Sequence, residues 1–265
     1  MNFTEIDGVI SDMDGVLWRG SQPLPGLIPF FEMLRARNIP FALATNNSSQ
    51  TQDEYVAKLE SMGLTGIAKH QILTSGTITV DYLKSNYPTN TPVYIIGSNS
   101  LKRLIDEAGY PTSDEANLVV VGIDTQLTYD KLKHATLLIR KGATFIGTND
   151  DANVPRSEGI VPGAGSILAA LQTATECEPK VMGKPFPPMF VSALHLLGTL
   201  SSRTLMIGDR LNTDIWGAQD LGLQTALVLT GISSRADTEN TMNPPDGVYA
   251  DLAELTSAWQ NALGQ

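Results

Sequence analysis

The chain opens on an apolar, β-prone run, Val9-Ile10-Ser11, that ends in two aspartates one residue apart, Asp12 and Asp14, with Gly15 immediately after. Successive side chains of a strand alternate faces, so residues i and i+2 point the same way. Glycine takes backbone angles that other residues avoid, which lets the chain turn sharply just past the pair. Two carboxylates then share one edge of a sheet. Such a pair is costly unless a cation neutralises it or the two environments push the acids into different roles. Taken alone, a surface Asp-x-Asp turn is the plainer reading, so the weight falls on what the rest of the chain brings to the same edge.

Downstream, Pro25 to Arg37 carries Ile28, Phe31, Met33 and Leu34 near helical spacing, and Asn38 stands where a left-handed cap would end a helix. Ile39 to Thr45 is continuously apolar, as a parallel strand buried on both faces should be, and it stops at the polar run Thr45-Asn46-Asn47-Ser48-Ser49. Thr51 and Glu54 form a capping-box pattern before a helix with Tyr55, Leu59 and Met62 on one face and Gly63 at its end. This β-α-β-α alternation predicts a parallel sheet with helices on both faces.

From about Ser75 to Glu158 a second α/β series follows, with strands ending at Gly97, Gly122 and Gly147, and its roughly 80 residues suffice for a small domain. The first rhythm is expected to resume after Gly159, with a helix near 163–175, a short core strand Lys180-Val181-Met182 and Lys184 just beyond it. Strands at 204–207 and 225–229, an edge strand near Val248 and a last helix at 252–263 finish the chain, with Ser233 to Gly247 expected as a long loop. The expected organisation is a doubly wound, parallel-sheet, Rossmann-like α/β core formed by residues 1–76 and 160–265, with an inserted smaller α/β cap domain at 77–159.

Composition narrows the function classes. No apolar run approaches the roughly 18 residues of a membrane helix, and MNFTEIDG lacks the pattern of a signal peptide, so a cytoplasmic protein is expected. The single cysteine, Cys177, has no partner for a disulfide and no metal-ligand spacing. A net charge of -10 without a basic run argues against nucleic acid or an anionic membrane as partner. It leaves a phosphate substrate open, because a metal ion and one lysine can reverse the local field.

Ligands of open parallel sheets bind outside the carboxyl ends of the strands. Asp12 and Asp14, Thr45 and Asn46, Lys184, and Asp209 with Asp214 are all expected at such ends. Together DMDGV, the threonine, the lysine and GDRLNTD resemble, in order, the motifs of the haloacid dehalogenase superfamily of aspartyl-nucleophile phosphatases. The gap from Gly15 to the first helix is too short for a domain, whereas the gap from Thr45 to Lys184 is long enough. That placement, with LATNNSS and VMGKPFPPMF, resembles the NagD-like branch, which includes p-nitrophenylphosphatases. Asn212 departs from the GDRLDTD of many relatives, but both flanking acids are present.

The resemblance implies a Mg2+-dependent phosphomonoester hydrolase acting on a small phosphorylated metabolite. Asp12 would be the nucleophile, forming an aspartyl phosphate, and Asp14 the general acid and base. Asp12, the main-chain carbonyl of Asp14 and Asp209 would hold the metal, with Asp214 orienting Lys184 or a metal-bound water. Thr45, the amide of Asn46 and Lys184 would hold the phosphoryl oxygens. The cap is expected to act as a lid, with Asn149, Asp150 and Arg156 reading the leaving group, and a homodimer is compatible with the resemblance. A receiver-type signalling module also places an Asp and a Lys at strand ends, but it does not explain a long insertion. A carbon–halogen hydrolase shares the nucleophile but needs neither Asp14 nor Mg2+.

Overall fold

The computed structural model describes residues 1–156 and 158–264, the side chain of Arg156 excepted. The chain divides into two compact units, Met1–Thr45 with Gln52–Leu73 and Lys184–Gln265, and Asn46–Thr51 with Thr74–Gly183.

In the first unit β1 (Gly8–Ser11) runs to the Asp12 turn and is followed by a small antiparallel ribbon, β2 (Trp18–Arg19) with β3 (Gln22–Pro23). Then come α1 (Leu27–Ala36), β4 (Phe41–Thr45), α2 (Gln52–Ser61) and β5 (Ile72–Thr74). The second unit takes α3 (Ser75–Asn86), β6 (Val93–Ile96), α4 (Asn99–Glu107), β7 (Leu118–Val121), α5 (Tyr129–Arg140) and β8 (Thr144–Gly147). It continues through the hairpin β9 (Asn153–Arg156) and β10 (Gly159–Pro162), then α6 (Ala164–Thr175) and β11 (Lys180–Val181). The chain returns to the first unit with α7 (Pro187–Leu197), β12 (Thr204–Gly208), α8 (Trp216–Gln219), β13 (Gln224–Val228), α9 (Arg235–Glu239), β14 (Gly247–Tyr249) and α10 (Leu252–Ala262).

The first unit's sheet has the order β14-β13-β12-β1-β4-β5. β1 is central and parallel to both neighbours, with Val9 opposite Leu205 on one side and Phe41 on the other. Every residue of β1, β4 and β12 is buried, which is why those segments read as unbroken apolar runs. From β1 the chain adds β4 and β5 on one side, and later β12, β13 and β14 on the other. The strand order therefore reverses at β1, which puts the end of that strand where doubly wound sheets bind ligands. Phe3, Phe30, Phe31 and Trp259 fill part of the helix layer, with the Phe3 and Trp259 rings stacked 5.0 Å apart.

The second unit has its own parallel sheet, β11-β8-β7-β6, and here the expected boundary at residue 159 is corrected. Helix α6 packs its Ile167, Leu168 and Leu171 into a core with Val119, Val121 and Phe145, so the unit continues to Gly183. Strand β11, expected in the core sheet, instead pairs with β8, Val181 opposite Gly147. A β8-α6-β11 crossover closes onto its own sheet as readily as a return to the first one would, and an α-then-β pattern in sequence does not say which sheet receives the strand. Residues 148–159, expected as a polar segment closing the insertion, contain strand β9, and the expected loop 233–247 contains α9. Among the described residues no helix is long and apolar enough to cross a membrane.

Candidate active site

The apolar run of β1 ends at Ser11, and Asp12 follows in the turn, buried at 8% exposure. Gly15 closes that turn with φ of +88°, and a Cβ there would fall 2.5 Å from Asp209 Oδ2, so both backbone conformation and space call for glycine. Asp209 follows the last residue of β12, the strand beside β1, and Asp214 lies in a single π-helical turn, Leu211–Ile215. Such turns aim side chains that a regular helix would turn elsewhere. Asp214 Oδ2 accepts from the Arg210 amide at 3.1 Å, and Asp209 Oδ2 accepts from the Ile232 amide at 2.8 Å. One carboxylate oxygen from each of Asp12, Asp209 and Asp214 lies within 4.8 Å of the others, and all three residues are buried. Asn212 is exposed and outside this group, so the departure from the family pattern leaves the acidic cluster whole.

Lys184 is the counter-charge. It is 1% exposed, with Nζ 2.5 Å from Asp12 Oδ1, 2.7 Å from Asp214 Oδ1 and 2.9 Å from the Ala44 carbonyl of β4. Burial alone would lower the lysine's pKa, but the two carboxylates outweigh it and hold the ammonium protonated. Burial pushes Asp12 well above the usual carboxylate range, with Asp214 and Asp209 adding to the rise against the pull of Lys184. Asp209 is pushed up to about 7, by burial and then by Asp214. Three buried acids against one lysine leave an excess of negative charge that a hard divalent cation would neutralise. Glycines surround the acids closely: a Cβ on Gly231 would lie 1.8 Å from Asp209 Oδ2, and one on Gly208 would lie 2.1 Å from Asp214 Cβ. The donor set and the small-residue cradle both fit Mg2+.

Lys184→Met is expected to destabilise the protein by about 3–5 kcal/mol, because it leaves buried carboxylates without a partner. The measurement is the denaturant midpoint of metal-free protein. An unchanged midpoint would mean that the acids are already neutral in the native state.

The other expected residues separate. Thr45 ends β4, buried, in the first unit. Asn46 belongs to the second unit, where its carbonyl accepts from Ser75 Oγ at 2.5 Å and from Asn149 Nδ2 at 2.7 Å. Asn149 is 5% exposed and fully engaged inside that unit, its Oδ1 accepting from the Asp151 amide at 3.2 Å. It therefore shapes the Asn46 loop. Asp150 is exposed in the loop after β8, and Arg156 ends β9. Lys184 reaches the acids from the start of the first unit's last segment, not from the end of a core strand as expected. The Asp14 carboxylate stands apart from the acidic cluster and accepts from Trp18 Nε1 at 2.7 Å, leaving its main-chain carbonyl as the group it could offer a metal. The sequence reading missed Trp18. An aromatic residue just past an Asp-x-Asp-Gly turn reads as ordinary core, and its donor N–H is the one signal that could have marked it.

Comparison with known proteins gives the family. The profile described as "Haloacid dehalogenase-like hydrolase" matches residues 9–111, and the one described as "HAD-hyrolase-like" matches residues 181–255. The chain is 36% identical to an acid sugar phosphatase of Staphylococcus aureus over 245 residues, 92% of this chain and 94% of that protein. The 4-nitrophenylphosphatase of Thermotoga maritima superposes with a TM-score of 0.93 at 36% identity, covering 98% of this chain and all (100%) of that one. NagD from E. coli K-12 gives 0.86 at 30% identity, covering 94% and 98%.

A buried acidic cluster with one lysine, set at the reversal point of a doubly wound sheet, defines an aspartate-centred hydrolase, and the chain belongs to the haloacid dehalogenase-like hydrolases. Within that family it falls in the NagD-like branch with the p-nitrophenylphosphatases, and it is a phosphatase, a hydrolase of phosphoric monoesters.

Proposed function

We propose that this phosphatase hydrolyses small sugar phosphates through an aspartyl phosphate on Asp12, with Mg2+ held by Asp12, Asp209 and the main-chain carbonyl of Asp14, and Asp214 completing the acidic set. The observation that carries the reading is the buried Asp12–Lys184–Asp214 ion-pair set beside Asp209. The name of the Staphylococcus aureus relative supports the sugar-phosphate class.

In this reading a carboxylate oxygen of Asp12 attacks phosphorus in line, the bond to the leaving oxygen breaks, and Asp14 gives that oxygen its proton. Asp14, now ionised, takes a proton from the water that attacks the aspartyl phosphate, which releases inorganic phosphate and restores Asp12. Thr45, the amide of Asn46 and Lys184 hold the phosphoryl oxygens, whose charge must be stabilised throughout the transfer. When bound, Mg2+ supplies fixed positive charge that offsets the repulsion between the acids and a phosphate dianion.

The test is a panel of sugar, nucleotide, glycolate, pyridoxal and p-nitrophenyl phosphates, read as released phosphate. Sugar phosphates are expected to give the highest kcat/KM among the natural esters. Release from none of them would sink the reading, and a clear preference for another ester would remove the sugar class alone.

Asn149, Asp150 and Arg156 are the candidates for reading the leaving group, and Asp150 is the exposed one of the first two. Asp150→Ala is expected to change relative kcat/KM among sugar phosphates more than it changes p-nitrophenyl phosphate hydrolysis. A uniform drop across the panel would assign the segment to stability instead.

A further inference from the structure

We infer that Trp18 is the positioning residue for Asp14, an assignment that rests on Asp14 being the acid and base of the reading above. Asp14 is exposed, and a free carboxylate on a surface turn samples several rotamers. A general acid must instead lie within hydrogen-bond reach of the oxygen it protonates. Trp18 Nε1 donates to Asp14 Oδ1 at 2.7 Å. An indole N–H can only donate, so it holds Oδ1 as an acceptor whether or not Oδ2 carries a proton.

The indole is itself immobilised. Trp18 is fully buried, and the Tyr55 ring stacks on it at 6.2 Å with 22° between the planes. Lys58 Nζ sits 4.1 Å from the Trp18 ring centroid, a cation–π contact. Tyr55 and Lys58 are three residues apart on α2, so one helix face supplies both contacts. The main chain of the turn is pinned as well: the Gly15 amide donates to the Trp18 carbonyl at 2.8 Å, and the Thr230 hydroxyl donates to the Gly15 carbonyl at 2.6 Å. With Oδ1 held by the indole, Oδ2 carries the proton that passes to the leaving oxygen as the P–O bond breaks, and it receives the proton of the attacking water in the second half.

The part of Trp18 that matters is then its N–H and not its bulk. Trp18→Phe keeps a ring for Tyr55 and removes the donor. It is expected to lower kcat/KM for alkyl phosphates about tenfold, the worth of one hydrogen bond. The kcat/KM for p-nitrophenyl phosphate, which reports only the first half-reaction and whose leaving group needs little protonation, should stay close to wild type. The double variant Trp18→Phe/Asp14→Asn should be no slower than Asp14→Asn alone, since the two act as one unit. Lys58→Met, which leaves the core intact, should give the same leaving-group pattern at about two- to threefold. Equal losses for both leaving groups, no loss at all, or a Trp18→Phe loss that adds fully to that of Asp14→Asn would overturn the assignment. The Asp14→Asn arm separates the two failures. If its loss is the same for alkyl and p-nitrophenyl phosphates, Asp14 is not the acid and the inference falls with that reading. If its loss does depend on the leaving group while Trp18→Phe adds to it, only the role of Trp18 is lost.

Discussion

Asp12→Asn should abolish turnover, with kcat falling by roughly 10^4 to 10^6, the scale seen when a covalent nucleophile is removed. Asparagine is close in shape to aspartate and can still accept from Lys184, whose second partner, Asp214, is untouched. The fold should therefore persist, as circular dichroism would check. The size of the effect follows from position: Asp12 alone of the three clustered acids sits at the end of the central strand, while Asp209 is held by the Ile232 amide and Asp214 by that of Arg210. In wild-type protein, acid-quenched turnover should carry a phosphate adduct on Asp12, detectable by peptide mass spectrometry. A variant that retained near-wild-type activity would refute nucleophilic attack by Asp12.

Removal of divalent metal should have an effect of similar size. EDTA is expected to stop turnover and added Mg2+ to restore it, because burial and mutual repulsion raise the pKa values of Asp12 and Asp209 and thereby register an environment short of positive charge. The same charge deficit predicts a binding signature independent of catalysis. Mg2+ at a hundredfold excess over its Kd should stabilise the wild-type protein by about 2.7 kcal/mol, and Asp209→Asn should lose most of that gain. Full activity in EDTA would remove the metal from the mechanism.

The three central strands of the first unit's sheet were legible because burial on both faces leaves an unmistakable trace, whereas the short β2, β3 and β5 were not read. Val9 to Ser11, Phe41 to Thr45 and Thr204 to Gly208 are each buried throughout, and each stops at a polar residue of the candidate site. The extent of the second unit was not legible. Whether Ile167, Leu168 and Leu171 face one sheet or another depends on tertiary packing, and their helical spacing is the same in either case. The hydrogen bonds of Asn149 to the Asn46 carbonyl and from the Asp151 amide were not legible either, since polarity in a loop does not name its partners. The π-helical turn that aims Asp214 also leaves no periodic signal, since five residues are too few to carry one.

The central position of β1 has a consequence for how the protein comes into being. Its partner on one side, β4, follows within a few dozen residues, but its partner on the other side is β12, and the Asp12–Lys184 bond spans 172 residues. During synthesis one edge of β1 must wait, unpaired and apolar, until β12 has emerged, and pairings of such long sequence separation form slowly. An exposed edge of this kind is a template for mispairing. Asp12 is thus made well before Lys184, Asp209 and Asp214, which surround it. The acidic cluster is complete only when β1 and β12 have paired.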